Sequence, residues 1–174
     1  MPAPPTSDRP APVTLTIRQA TDADAGEMRA LLNGIVREGG TTAIEDELTE
    51  TEFTLWFLSG PDCVACHVAV LPDTSIAGFQ ALATYGDLPD GWVDIATFTR
   101  RPRIGGVGSA LFPVTRDFAS RAGFTMINAT IRADNAGGLA YYAKLGFTDY
   151  SVAVGVALRD GTPVDRVSRR YALR

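Results

Sequence analysis

The chain has 174 residues, 45% of them apolar and 21% charged, which fits one globular domain able to bury its own core. A formal net charge of −4 argues against a sequence-independent hold on nucleic acid or on an anionic membrane. A single histidine, His67, excludes multi-histidine metal centres and leaves a serine or cysteine triad only that one base. No metal site is expected.

Five prolines fall within the first twelve residues, at Pro2, Pro4, Pro5, Pro10 and Pro12. They predict a flexible leader over 1–13, with polyproline tendency, ahead of a single domain over 14–174. The leader has no apolar core of a secretory signal, and no run of 18 apolar residues follows. The expectation is a cytoplasmic protein that binds neither membrane nor nucleic acid.

Leu15 to Arg18 reads as a short strand. Thr21 and Asp24 form a capping box, and Met28, Leu31, Leu32 and Ile35 recur at helical spacing until Gly39-Gly40. Thr49 and Glu52 repeat the capping signal before Phe53, Trp56 and Phe57. Strands are predicted at about Cys63–Leu71, Ile76–Tyr85 and Trp92–Phe98, with Pro72-Asp73 turning the first two into a hairpin.

Cys63-Val64-Ala65-Cys66-His67 spells C-x-x-C-H, the string that attaches haem. Haem attachment requires export, which the sequence gives no sign of. Positions i and i+3 of a strand also face opposite ways, so the two sulfurs cannot grip one ligand. Two small hydrophobes beside a structural strand histidine is the better reading.

Ile104 to Gly108 is a glycine-rich turn into a helix whose buried face would carry Val107, Leu111, Val114 and Phe118. Pro113 predicts a late start or a kink in that helix. A strand over Phe124–Arg132, a helix over Asn135–Leu145 and a strand over Thr148–Leu158 follow. The Asp160-Gly161 turn leads into a last strand near Val164–Leu173. The order predicts an α+β fold, a mostly antiparallel sheet with helices on its faces.

The glycine-rich turn carries the clearest chemistry. Glycines let the backbone approach a ligand, the first amides of the next helix have no partner, and Arg100, Arg101 and Arg103 stand beside them. This is a phosphate cradle in an acidic chain; the plainer alternative is a solvated basic turn with a glycine cap. No lysine completes a nucleotide P-loop, and Leu111 stands where the dinucleotide fingerprint needs its third glycine.

Arg103-Ile104-Gly105-Gly106-Val107-Gly108 resembles the R/Q-x-x-G-x-G/A motif of the GCN5-related N-acetyltransferase superfamily. Asn135 to Phe147, ending in Y-x-K-L-G-F, is similar to that family's second cofactor signature. The resemblance spans Leu15 to Leu173. It implies a mixed, mostly antiparallel twisted sheet with helices on both faces, and acetyl-CoA as co-substrate.

By this resemblance the amides of Gly105, Gly106, Val107, Gly108 and Ser109 would hold the cofactor's pyrophosphate, and Arg103 and Ile104 of the same motif are also cofactor-binding. Phe98 and Thr99 would pair with its pantetheine arm like an added strand, and Asn135 would hydrogen-bond that arm. Gly138 belongs to the same signature. Tyr142 matches the tyrosine that protonates the departing thiolate. Tyr141 is expected to be packing.

An ammonium cannot attack a thioester, so a base is needed. Asp94, in the strand before the cradle, is the leading candidate, because a half-buried strand rarely carries a carboxylate idly. Glu45 is the alternative, and His67 is expected to be structural. Asn33–Arg37 with Thr41–Glu45 resembles the phosphinothricin and methionine-sulfoximine acetyltransferase branch, whose substrates are small amino-acid-like amines.

Counted without gaps, that branch's strand glutamate falls on Val93. Asp94, one residue on, faces the other way unless a bulge re-aims it. The loop from Tyr85 to Trp92 also lacks an arginine for a substrate carboxylate. The expected activity is direct N-acetyl transfer to a small primary amine; a non-catalytic CoA-binding or regulatory module is the alternative. Homodimers are common in the family, and the last strands are the candidate contact.

Overall fold

The computed structural model describes residues 11–174; most of the expected leader therefore lies outside the described residues. A short strand β1 (Thr16–Gln19) leads into a tight turn at Asp22–Asp24. Asp24 closes the predicted capping box by accepting from the Thr21 amide at 2.8 Å, and Arg18 grips the same carboxylate. Helix α1 (Ala25–Glu38) follows and stops at Gly39, whose φ of 72° suits glycine.

The short α2 (Glu50–Thr54) begins on the Thr49–Glu52 box and continues as one π-helical turn, Leu55–Ser59. That turn puts Phe57 in the core and leaves Leu55 and Trp56 half exposed. Gly60 closes it, because a Cβ there would lie 1.8 Å from the Leu55 carbonyl oxygen.

Strands β2 (Cys63–Val70), β3 (Ile76–Ala83) and β4 (Trp92–Thr99) form an antiparallel meander. Helix α3 (Val107–Arg121), β5 (Met126–Arg132), α4 (Ala136–Leu145), β6 (Thr148–Ala157) and β7 (Pro163–Ala172) complete the chain. Among the described residues seven strands make one sheet in the order β1-β2-β3-β4-β5-β7-β6, with β4–β5 its one parallel pair. This is the α+β architecture read from the element order.

Two expectations about α3 change. The helix starts at Val107 and runs through Pro113, so there is no late start. Its buried stripe is Val107, Leu111, Phe112, Thr115 and Ala119, whereas Val114 is exposed. Thr115 takes the inward place because its hydroxyl meets the His67 ring nitrogen Nδ1 at 3.2 Å.

Helices cover both faces. Met28, Leu32 and Ile35 of α1 and Phe53 of α2 pack on Val68, Phe79 and Phe98. On the other face Phe112 and Ala119 of α3 and Tyr142 of α4 pack on Leu82, Val93, Ile95 and Ile127. The faces of β4 thus alternate, Val93 and Ile95 under α3 and α4, Ala96 and Phe98 under α1 and α2. No helix among the described residues is long and apolar enough to cross a membrane.

Candidate active site

The parallel pair β4–β5 comes apart. Only Trp92–Asp94 pair with Met126–Asn128, although both strands run on, to Thr99 and Arg132. A cleft of about 1490 Å³ passes through the opening, from the glycine-rich turn past β4 to Asp94 and the loop after α1. Past Asp94 one edge of β4 therefore faces a gap where a strand would be.

Which groups line that edge follows from the pairing on the other side. Arg100 N–H donates to Ala77 O, and Thr99 opposes Gly78. Main-chain groups alternate along an antiparallel strand, so those of Phe98 turn toward β3 and those of Ile95, Thr97 and Thr99 turn to the gap. A Cβ on Gly78 would lie 2.8 Å from the Phe98 carbonyl oxygen, which places that oxygen on the β3 side. Of the two residues expected to pair with an added arm, Thr99 turns its main-chain groups to the gap and Phe98 turns them to β3; Ile95 and Thr97 face the gap as Thr99 does.

The gap leads to the first turn of α3. Gly106, with φ of 85°, precedes the helix in a left-handed conformation, and the first intrahelical acceptance is Ala110 N–H to Gly106 O. The amides of Val107, Gly108 and Ser109 are thus left facing outward. A Cβ on Gly105 or Gly106 would meet nothing within 4 Å, so the front of the turn is open. Gly108 is glycine for a different reason, since a Cβ there would sit 2.6 Å from the Tyr141 ring.

The three arginines separate. Arg103 stays at the cleft, its guanidinium about 3.0 Å from where a Cβ on Gly137 would stand, at the start of α4. Arg100 is drawn to Ser75 and Glu27, and Arg101 lies 3.9 Å from Glu38 while still lining the cleft. The positive cluster read from the sequence is therefore concentrated on Arg103.

Asn135 caps α4, its Oδ1 accepting from Gly138 N–H at 2.9 Å and its Nδ2 donating to Thr41 O at 3.0 Å. Its amide ties α4 to the loop after α1. A side chain on Gly138 would collide with that amide at 2.6 Å. Both residues line the cleft, yet their polar atoms hold its wall together and are not turned freely into it.

Tyr142 is buried, with its hydroxyl 3.0 Å from Thr97 Oγ1. Burial pushes its pKa well above the ordinary tyrosine value, so it keeps its proton. Tyr141 donates to Gly108 O at 2.9 Å and accepts from Gln80 Nε2 at 3.1 Å, bracing the turn from behind.

Asp94 lines the cleft, while Val93 is buried on the opposite face. No bulge intervenes, because β3 and β4 keep one register from Thr99 to Asp94. The carboxylate accepts from Asn128 Nδ2 at 2.5 Å and from Tyr85 Oη at 3.0 Å. Tyr150 Oη donates in turn to Asn128 Oδ1 at 2.5 Å. Burial raises the Asp94 pKa to about 6, against the pull of the two hydrogen bonds that favour the charge.

Glu45 also lines the cleft, but both its oxygens accept from Arg159 N–H at 3.1 Å, at the turn between β6 and β7. It holds that hairpin against the loop after α1. His67 is buried against Thr115 and Phe118, away from the cleft, and burial lowers its pKa. Burial raises the pKa of both thiols, and the Cys63 thiol donates to Leu55 O.

Tyr85, Asn128 and Tyr150 were not singled out by the sequence. Asn128 had one available signal, a polar residue in the middle of an apolar strand. The two tyrosines had none, because their partner lies on a different strand in each case.

No family model matches the sequence, and no curated protein matches it either. Solved structures do match. An N-acetyltransferase from Staphylococcus aureus Mu50 superposes with a TM-score of 0.82 at 18% identity, over 92% of this chain and 99% of that one. A GCN5-related N-acetyltransferase from Kribbella flavida gives 0.79 at 24% identity, over 91% and 98%. A phosphinothricin acetyltransferase of the superfamily from Sinorhizobium meliloti, solved with acetyl-CoA, gives 0.81 at 21% identity, over 92% and 89%. The open β4–β5 pair, the free first turn of α3 and the seven-strand order together make this chain's fold that of the GCN5-related N-acetyltransferases.

Proposed function

We propose that the protein transfers the acetyl group of acetyl-CoA to the primary amine of a small molecule, directly in a ternary complex. The observation that carries this reading is the single cleft. It joins the unpaired edge of β4 and the free α3 amides to a carboxyl group with a pKa of about 6.

The residues fit the cofactor chemically. The edge at Ile95, Thr97 and Thr99 offers main-chain donors and acceptors to an amide-bearing arm, as a missing strand would. The amides of Val107 to Ser109, with the open front at Gly105 and Gly106 and the charge of Arg103, suit a pyrophosphate. Acetyl-CoA would supply an acetyl thioester at the inner end of that track.

The protein's part is then to move two protons. Asp94 takes one from the incoming ammonium, freeing the lone pair that attacks the acetyl carbon. A carboxylate poised near pH 6 is ionised at neutral pH yet basic enough to accept it. Tyr142 holds the other and gives it to the departing sulfur, and the second proton that the attacked nitrogen sheds as the amide forms returns to the Tyr142 oxygen, whose buried site disfavours the phenolate. Neither cysteine is suited to carry the acetyl group, since burial keeps both thiols protonated, so direct transfer is favoured.

The acceptor is read as amino-acid-like from the sequence resemblance, which the likeness to the Sinorhizobium enzyme's fold supports. A homodimer belongs to the same reading: β6 is a free sheet edge, with Val152 and Val154 exposed.

The test is a thermal shift with acetyl-CoA, followed by release of CoA thiol across a panel of amines that includes phosphinothricin and methionine sulfoximine. Stabilisation with thiol release supports the enzyme. Stabilisation without release from any amine leaves a CoA-binding module, and no stabilisation at millimolar cofactor removes both.

A further inference from the structure

Strands β3 and β4 and helix α4 hold a chain of polar side chains behind the cleft wall. Gln80 of β3 is fully buried, opposite Thr97 of β4. Its Nε2 donates to Thr97 Oγ1 at 2.8 Å and to Tyr141 Oη at 3.1 Å. Tyr141 in turn donates to Gly108 O at 2.9 Å, and Thr97 Oγ1 lies 3.0 Å from Tyr142 Oη. Burying an amide in an apolar layer is unfavourable unless its donors are met, and both of these are.

The far end of the chain fixes its direction. A phenol has one proton, and Tyr141 gives its own to Gly108 O. The Tyr141 oxygen can therefore only accept from Gln80, so the amide nitrogen, not the amide oxygen, stands between Tyr141 and Thr97. Turning the amide round would set two acceptors against each other at Tyr141. The orientation carries a penalty, since Gln80 Oε1 is left without a partner among the described residues.

Thr97 accepts the amide proton, and its own proton needs an acceptor. Among the described residues Thr97 Oγ1 is hydrogen-bonded only to Gln80 and Tyr142. Tyr141 also stands beside it, but already accepts from Gln80. The acceptor left is Tyr142 Oη. A Tyr142 hydroxyl that accepts from Thr97 keeps its own proton for another partner, and Tyr142 lines the cleft. Thr97 itself lies on the stretch of β4 that β5 leaves unpaired.

We propose that Gln80 and Thr97 are positioning residues, which together turn the Tyr142 proton out of the wall and into the cleft, toward the departing sulfur. This rests on the acetyltransferase reading. As the Tyr142 O–H bond breaks and the S–H bond forms, the Thr97 hydroxyl stays bonded to the oxygen that takes the charge, where a hydrogen bond is strongest. The attacked nitrogen then returns a proton to that oxygen. Neither Gln80 nor Thr97 gives up a proton. The chain starts at the Gly108 carbonyl, so the first turn of α3 and the acid share one line of hydrogen bonds.

The first measurement needs no turnover. In the free protein the two Gln80 side-chain amide protons, followed by NMR, should exchange slowly with water. Thr97→Val should shift one of them and Tyr141→Phe the other. The second measurement is kcat and KM for acetyl-CoA, with the best amine of the panel. Thr97→Val keeps the shape and removes the hydroxyl; it is expected to lower kcat about tenfold, roughly the worth of one hydrogen bond, with KM unchanged. Thr97→Ser restores most of the rate. Gln80→Met frees the direction while keeping the Thr97 hydroxyl, and gives a smaller loss. On Tyr142→Phe, which has no proton to aim, Thr97→Val and Gln80→Met should lower kcat no further.

Losses that add on Tyr142→Phe overturn the inference, because they belong to packing. A Thr97→Val defect in the KM of acetyl-CoA overturns it too, and gives the Thr97 proton to Tyr141 and the turn of α3. So do Gln80 amide protons that respond to neither substitution, or an unchanged kcat in Thr97→Val. Full activity in Tyr142→Phe removes the acid and the inference together. Release of CoA from no amine overturns the enzyme reading as well, and the thermal shift with acetyl-CoA shows whether the cofactor site stands.

Discussion

The two ends of the cleft are built by different means. The end at α3 is made of main chain: outward amides, an open glycine turn and the unpaired edge of β4, all between Ile95 and Ser109. The end at Asp94 is made of side chains from separate elements, with Tyr85 after β3 and Asn128 on β5 donating to one carboxylate and Tyr150 on β6 bonding Asn128 behind it. Main chain recognises what every cofactor molecule shares, and it is insensitive to most substitutions. Side chains set proton affinity and selectivity, and each is exposed to mutation.

The largest expected effect is at the side-chain end. Asp94→Asn should lower turnover about 10²- to 10⁴-fold, the usual range for a lost general base, with acetyl-CoA affinity unchanged. The same variant should be more stable than the parent above pH 6. The pKa of Asp94 is raised to about 6 in the folded protein, from an ordinary value near 4, so the folded state holds the proton more tightly. Its favourable contribution is complete below about pH 4 and is lost as the pH rises through 6. Denaturant unfolding at pH 4 and pH 8 should show a gain only at pH 8, of up to about 3 kcal/mol. Equal stabilities at both values would refute the raised pKa.

Next in size is Tyr142→Phe, expected to slow turnover by about 10²-fold while the acetyl-CoA Kd holds. Turnover at the wild-type rate would return this hydroxyl to packing against Thr97. The main-chain end is probed by glycines. Gly108→Ala would push a Cβ into the Tyr141 ring, at a cost of about 1–3 kcal/mol, and should weaken acetyl-CoA roughly tenfold by shifting the first turn of α3. Gly105→Ala meets open space in the protein, so it should leave stability within about 0.5 kcal/mol and any loss of affinity would come from the ligand side. Calorimetric titration with acetyl-CoA separates the two.

The same contrast explains what the sequence revealed. Arg103 to Ser109 and Asn135 to Phe147 are contiguous, so their meaning survives in a one-dimensional string. Capping boxes at Thr21 and Thr49 and the period of α1 were readable for the same reason. Asp94 was reachable only through the oddity of a carboxylate in a strand. A gap-free count from the glycine motif set Val93 on the branch's glutamate and left Asp94 facing the other way; only the packing of the two helical layers shows that the cleft lies on the Asp94 side. The roles of Phe98 and Asn135 were not visible either. Which way a strand's carbonyl faces depends on its neighbour's register, and an amide that could bind a ligand can instead cap its own helix.

The smallest effect separates the carboxylate from its supports. Tyr85 donates to Asp94 Oδ2 from the half-exposed rim, whereas Asn128 donates to Oδ1 from within the sheet. Both bonds favour the charged form and so oppose the burial that raises the pKa. Tyr85→Phe removes one bond and leaves the ring, the other bond and the fold. The ascending limb of the pH–rate profile should therefore move to higher pH, by about one unit at most, given the worth of a hydrogen bond to a charged group. At pH 8, well above the limb, turnover should be nearly that of the parent, so the variant looks inactive only in acid. A limb displaced to lower pH would mean that Tyr85 bonds the neutral acid instead. A limb that stays put would leave Asn128 alone to tune the base.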